Sequence, residues 1–117
     1  MFRFQELTVW QRALEIGIEL DDLSDQLESR KRFRQAEQLR SAAMSISNNI
    51  AEGSGSSSKK DFAHFVNIAK RSAFETANML IFFERKKLLS PSIGQPLLIQ
   101  LESLCRMMES FRKSLLP

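Results

Sequence analysis

Two side chains of this sequence have the chemistry of a nucleophile and its base: the single cysteine, Cys105, and the single histidine, His64. A site of that kind needs both in one cleft. Each falls within or beside an apolar helical stripe, which indicates a buried structural thiol instead. No glutamate stands three residues before the histidine, as a metal-binding helical bundle would require. Gly53 and Gly55 lack the Gly-Lys-Ser/Thr ending of a phosphate loop. The sequence therefore predicts no enzyme, no cofactor and no metal site.

Positive charge is the more informative feature. The net charge is +3, but residues 1–29 carry −5 and residues 30–117 carry +8. The basic residues cluster at 30–34, 59–60, 70–71 and 85–87. These clusters are either solvated helix faces or a surface for an acidic partner such as nucleic acid. The candidate phosphate contacts are Arg30, Lys31, Arg32, Arg34, Arg40, Lys59, Lys60, Lys70 and Arg71.

Four segments repeat apolar residues at steps of three and four, the signature of amphipathic helices. They predict helices over about 5–29, 34–52, 59–88 and 92–115. Gly53 stands where a helix end favours a left-handed residue, and Ser58 stands where a helix begins. Pro96 falls in the first turns of the fourth helix, so that helix has an alternative, later start. Four such helices with short loops predict an all-α, antiparallel up-down four-helix bundle.

The length and composition of the chain indicate how many domains it has and where it is located. The 117 residues fit one domain, residues 1–117. A lone cysteine forms no internal disulfide and is typical of a reducing compartment. No stretch approaches the roughly 18 uncharged apolar residues of a membrane span, and the first residues do not resemble a signal peptide. We therefore expect a cytoplasmic protein without a membrane partner.

Several apolar residues lie off the predicted stripes. Exposed apolar patches often mark protein interfaces, so they predict self-association, although a wider core stripe would also account for them. The interface candidates are Val9, Trp10, Ile18, Phe74, Ile81 and Phe82.

The run Ser45–Gly53 places two serines and two asparagines inside a helix, where they are weak helix formers. If the loop at 54–58 joins antiparallel helices, facing residue numbers sum to roughly 112. That register sets Asn48 opposite His64, and Ser41 or Arg40 near Ser72 and Glu75. A polar layer of this kind either fixes helix register or lines a functional groove, and it must be hydrogen-bonded. Its members are Ser45, Asn48, Asn49, Glu52, Gly53, His64, Ser72 and Glu75, with Arg40 beside them.

Three segments together carry a family resemblance. They read Phe4-x-x-Leu7-x-Val9-Trp10-x-x-Ala13; Arg40-x-Ala42-Ala43-x-Ser45-Ile46-x-x-Asn49-Ile50-Ala51-Glu52-Gly53; and Phe62-x-x-Phe65-x-x-Ile68-Ala69-x-x-Ser72-x-x-Glu75. The chain resembles the four-helix bundle family named for the 23S ribosomal RNA intervening-sequence protein. That family is related to the accessory variability determinant proteins of diversity-generating retroelements.

The resemblance implies a bundle that assembles as a ring of five subunits, a homopentamer with a basic surface or channel for nucleic acid. It also implies a further protein partner, a reverse transcriptase, in the retroelement branch. The residues that carry these implications are Trp10, Arg40, Ser45, Asn49, Glu52, Gly53, Ser72 and Glu75.

The sequence thus predicts an oligomeric, non-enzymatic basic module that binds RNA or DNA with low sequence specificity. The alternative is a protein–protein scaffold or accessory subunit that makes no direct contact with nucleic acid.

Overall fold

The computed structural model describes residues 1–117 and contains four α-helices and no strands. A short 3-10 helix, Arg3–Glu6, leads into α1 (Thr8–Ser29), α2 (Phe33–Ser54), α3 (Lys59–Arg85) and α4 (Pro91–Ser114). Consecutive helices pack against each other, and α1 also touches α4. The bundle measures 45 × 23 × 19 Å. Its long axis is about as long as its longest helix, α3. The predicted all-α, antiparallel four-helix bundle is confirmed.

One apolar core runs the length of the bundle. It contains 25 buried residues drawn from all four helices. The side chains with almost no exposure repeat every three or four positions, as the sequence pattern requires. Two buried hydroxyls stay satisfied, because Ser24 donates to the Leu20 carbonyl and Thr76 donates to the Ser72 carbonyl. None of the four helices has a stretch both long and apolar enough to cross a bilayer. The largest fully buried apolar residues are Leu20, Leu27, Leu39, Ile46, Ile50, Leu80, Leu101, Leu104 and Met108.

The ends of α1, α2 and α3 differ from the sequence prediction. No glycine has a positive φ; that conformation falls instead on Lys31 (φ 65°) and Lys87 (φ 61°). Each lysine follows the end of a helix, α1 or α3, where backbone N–H groups turn back to the last free carbonyls. The prediction that Gly53 ends α2 in a left-handed conformation is therefore wrong. The helix continues through it to Ser54.

Gly53 has a different role, set by close packing of α2 on α3. A Cβ atom at this position would lie 2.5 Å from the Cβ of Phe65 and 2.9 Å from Cδ1 of Phe62. Only a residue without a side chain allows the two helices to approach this closely.

The fourth helix begins at Pro91 rather than later, and it passes through Pro96. Proline suits the first position of a helix because its fixed φ is helical and its missing N–H would be unpaired there. Pro96 is exposed, so water can reach the carbonyl that its missing N–H leaves unpaired. The third helix ends at Arg85, three residues before the predicted end.

Candidate nucleic-acid interface

The antiparallel topology brings two distant basic segments to one end of the molecule. Both α1 and α3 end there, and Nη1 of Arg30 donates to the Leu88 carbonyl at 2.8 Å, which ties the two turns together. All the cations at this end are exposed, and none has a carboxylate within 4.0 Å. This cluster, called the basic end below, consists of Arg30, Lys31, Arg32, Arg34, Arg85, Lys86 and Lys87.

Local physics favours cations at these turns. The last carbonyls of a helix carry partial negative charge, which stabilises lysine and arginine nearby. In the turn after α1, the N–H of Lys31 bonds to Glu28 and that of Arg32 bonds to Leu27. The turn after α3 has the same pattern, with Lys87 bonded to Glu84 and Leu88 bonded to Phe83. The two turns therefore present their basic side chains from similar backbone frames.

Arg40 does not belong to this free charge. Its guanidinium lies 2.9 Å from Asp25 and 3.5 Å from both Asp21 and Glu28, and it also pairs with Glu37. The hydrogen bond to Asp25 is the main cause of a raised pKa for Arg40. Arg40 thus neutralises part of the acidic α1 and forms no ion pair with Glu75. Ser41, the other residue predicted near Glu75, lines one surface depression with it.

Lys70 is also neutralised within the chain. Its Nζ lies 2.9 Å from Oε1 of Glu109, and Arg112 holds both oxygens of that carboxylate at 2.8 Å. Arg112, and then Lys70, lower the pKa of Glu109 to about 2. Of the other predicted contacts outside the basic end, Lys59, Lys60 and Arg71 are exposed without a carboxylate partner. Lys59 and Lys60 lie at the opposite end of the bundle, where α3 begins.

The polar layer between α2 and α3 contains fewer residues than the sequence suggests. The hydroxyls of Ser45 and Ser72 are hydrogen-bonded at 2.8 Å. Nδ2 of Asn49 donates to the hydroxyl of Ser45 at 2.9 Å and to its carbonyl at 2.7 Å. No buried side-chain polar atom in the chain lacks a partner. The Ser45–Ser72 hydrogen bond joins α2 to α3, whereas both Asn49 bonds lie within α2 and hold Ser45.

The other predicted members of that layer point to solvent. Asn48, Glu52, His64 and Glu75 are exposed, and no hydrogen bond joins Asn48 to His64. The predicted register is wrong. The sequence numbers of facing residues, for example Ser45 and Ser72, sum to about 117 rather than 112. The start of α3 projects beyond the end of α2, so the helices first meet where Gly53 lies against Phe62 and Phe65.

The exposed histidine lines an open cleft of about 630 Å³ with Lys60, Asn67 and Arg112. Cys105 is not part of that cleft. It is half-buried, and burial raises the pKa of its thiol, which lowers the thiolate fraction needed for nucleophilic attack. The structure therefore does not bring Cys105 and His64 together.

One group of acids could in principle attract a cation. Carboxylate oxygens of Asp21, Asp22 and Asp25 lie within 4.8 Å of one another. The guanidinium of Arg40 already contacts two of them, which reduces the attraction for a metal ion.

The residues predicted to form an oligomer interface differ in how far they are exposed to solvent. Ile18 (57%), Phe74 (63%), Ile81 (43%) and Phe82 (56%) are exposed. Val9 is only 4% exposed and belongs to the apolar core, so its assignment to an interface is wrong. Trp10 is half-buried, with its ring 4.9 Å from that of Phe4.

Two exposed apolar residues, Leu14 and Met44, were missed by sequence reasoning. With the predicted Ile18 they border a groove of about 190 Å³ between α1 and α2, whose lining includes Gly17 and Ala43. Leu14 falls in the apolar series of α1, so periodicity alone does not separate it from buried residues. Arg85, Lys86 and Lys87 were also missed as candidate contacts. Adding the direction of each helix to the charge pattern would have placed them beside Arg30.

Comparison with known proteins agrees with this architecture. The model of the family described as 23S rRNA-intervening sequence protein matches residues 5–110. A crystal structure of a protein of unknown function from the S23 ribosomal protein family of Bacteroides thetaiotaomicron VPI-5482 has the same fold. It superposes with a TM-score of 0.86 at 23% identity, over 91% of this chain and 99% of that one. No curated protein matches the chain. Because the family model spans most of the sequence, the chain belongs to the 23S rRNA-intervening sequence protein family.

Proposed function

We propose that this protein is a non-enzymatic module that binds nucleic acid through the basic end, with low sequence specificity. Residues 30–34 and 85–87 meet at one end of the bundle and together present seven exposed cations without a carboxylate partner. This observation carries the proposal. Their chemistry suits phosphate, because arginine and lysine neutralise the backbone of a polyanion and release its counterions. The family name, which refers to ribosomal RNA, favours RNA as the first ligand to test.

Low specificity follows from what the basic end lacks. Base edges are read by asparagine, glutamine or paired arginines at fixed positions. At the basic end the side chains are long, exposed cations, and only Arg30 has a fixed partner, the Leu88 carbonyl. Such side chains position a strand without reading its sequence.

The test is a titration of binding against salt. We expect RNA binding at low salt, with the logarithm of the binding constant falling linearly with the logarithm of salt concentration. The triple variant Arg34→Gln, Lys86→Gln, Lys87→Gln should reduce that slope by about two, since each lost phosphate contact contributes roughly 0.7 to 0.9.

The matched control replaces three exposed cations away from the basic end: Lys59→Gln, Lys60→Gln, Arg71→Gln. It removes the same charge and should keep most of the slope. Absence of RNA and DNA binding at low salt would refute the proposal. Equal losses in the two triple variants would refute the assignment to the basic end.

The second candidate function is a protein–protein scaffold or accessory subunit without direct nucleic-acid contact. The exposed residues Ile18, Phe74 and Ile81 favour it, as does the groove between α1 and α2. Copurification of a protein partner that persists after nuclease treatment would support this candidate. The family resemblance makes a reverse transcriptase one partner to test.

Self-association belongs to either candidate. We propose that Ile18 of α1 and Phe74 and Ile81 of α3 pack between copies, and the resemblance suggests five subunits. Mass in solution by light scattering tests this directly, and a monomer at high concentration would contradict it. Cytoplasmic location stays a prediction of both candidates.

A further inference from the structure

Two phenylalanines stand exposed at the basic end. Phe33, the first residue of α2, is 59% exposed and lies between Arg32 and Arg34 in sequence. Phe82, in the last turn of α3, is 56% exposed. It precedes Arg85 by three positions, so the two side chains share one face of the helix. Each ring is therefore presented to solvent beside unpaired cations.

We propose that Phe33 and Phe82 are stacking platforms for unpaired bases, so that the ligand of the basic end is single-stranded nucleic acid. This inference rests on the proposed function and specifies its ligand. Proteins that bind single strands combine a basic surface for the backbone with aromatic rings on which bases stack. A duplex keeps its base faces stacked inside and offers nothing to these rings.

The dimensions allow one strand to engage both rings. Phe33 and Phe82 lie at the same end of a bundle that is 23 × 19 Å across. At about 3.4 Å per stacked nucleotide, roughly six nucleotides span that width. An oligonucleotide of modest length thus reaches both rings and the cations around them.

Charge favours this occupant over the same face of a second copy. A contact between two copies through this face would bring two sets of unpaired cations together, and like charges across an interface oppose association. A nucleic-acid strand supplies the opposite charge. The remaining exposed phenylalanine of α3, Phe74, lies 11 positions before Arg85, about 16 Å along the helix. It is therefore outside the basic end and serves as a control.

The experiment compares binding of a single-stranded oligouridylate of about 15 nucleotides and a duplex of the same length, by fluorescence anisotropy at low salt. We expect Phe33→Leu with Phe82→Leu to weaken single-strand binding roughly tenfold. Duplex binding and both salt slopes should stay unchanged, since the cations remain. Phe74→Leu should match the unmodified chain with both ligands. All three replacements are at exposed positions and keep an apolar side chain, so folding should be preserved.

A second variant reports stacking directly. Trp10→Phe removes the native tryptophan, and Phe33→Trp then places a single indole at the basic end. Its fluorescence should be quenched by the single strand and not by the duplex. Phe74→Trp in the same background should be quenched by neither.

The outcomes separate the two proposals. If the unmodified chain binds neither ligand, the proposed function fails and this inference fails with it. If it binds both, and the double leucine variant binds the single strand as well as before, the stacking role is overturned while the proposed function survives. A lower mass in solution for Phe82→Leu would also overturn it, because that ring would then be buried between copies.

Discussion

Gly53→Ala is the sharpest test of how α2 and α3 pack. Gly53 has helical geometry, because α2 continues through it to Ser54. If helix propensity alone decided the outcome, alanine would stabilise the protein by about 0.5 to 1 kcal/mol. The structure predicts the opposite sign. The added methyl carbon would lie 2.5 Å from the Cβ of Phe65.

The size of the effect follows from that distance. Carbon atoms pack best at about 3.5 to 4.0 Å, so the two helices must separate locally by about 1 Å. The Cβ of Phe65 is attached to the backbone and cannot rotate away, so the strain falls on the helix pair. Overpacking of this kind costs about 1 to 3 kcal/mol. After the gain in helix propensity, we expect a net loss of about 1 to 2 kcal/mol in the free energy of unfolding.

Gly17→Ala is the matched control. A Cβ at this position would lie 4.0 Å from the Ala43 carbonyl oxygen, an ordinary contact, and Gly17 is in the interior of α1. We expect this variant to gain about 0.5 to 1 kcal/mol. Urea unfolding followed by circular dichroism measures both, with unchanged slopes indicating that only stability has changed. A Gly53→Ala variant at least as stable as the unmodified chain would refute the close-packing argument.

Three further predictions concern other parts of the bundle. Lys31→Gly should stabilise the protein by about 1 kcal/mol, because glycine adopts the left-handed conformation (φ 65° here) without strain; thermal unfolding measures it, and a lower midpoint would contradict it. Ser72→Ala should cost about 1 kcal/mol in urea unfolding by removing the hydrogen bond to Ser45, whereas Asn48→Ala, at an exposed position, should cost little; equal losses would count against the polar layer. The pKa of Glu109 is lowered to about 2, so its contribution to stability is complete above the unfolded value of about 4.3 and declines as the pH falls towards 2. Glu109→Gln should therefore weaken the loss of unfolding free energy as the pH falls below about 4.3. A pH profile unchanged from that of the parent chain would show that the ion pairs of Glu109 with Lys70 and Arg112 do not stabilise the fold.

Helix periodicity was enough to predict the architecture because each core stripe is long and strongly apolar. The sequence was less informative about local features that depend on a single residue. Gly53 looked like a helix-ending glycine because a loop of glycine and serine follows it, and nothing local reveals the phenylalanine pressed against it. Lys31 and Lys87 occupy the left-handed positions instead, and lysine gives no sequence signal for that conformation.

The sequence showed which basic residues could contact phosphate, but not which of them lie together on one exposed surface. Sequence clustering found Arg30–Arg34, but the role of each cation depends on contacts across helices. Arg40 was expected to bind phosphate and instead faces four carboxylates, since α1 brings its acids to the same side of α2. The register error has the same origin. A loop model gives the midpoint of a hairpin but not how far one helix extends beyond the other.

The acidic surface of α1 has a consequence for how many copies a strand can hold. Between Thr8 and Ser29 that helix carries six acids and one arginine, so a polyanion is repelled from this flank of the 45 Å long axis. Binding through the narrow basic end would leave a footprint of only about six nucleotides per chain. Copies bound end-on to one RNA strand would therefore lie close together, with their acidic flanks directed away from the strand.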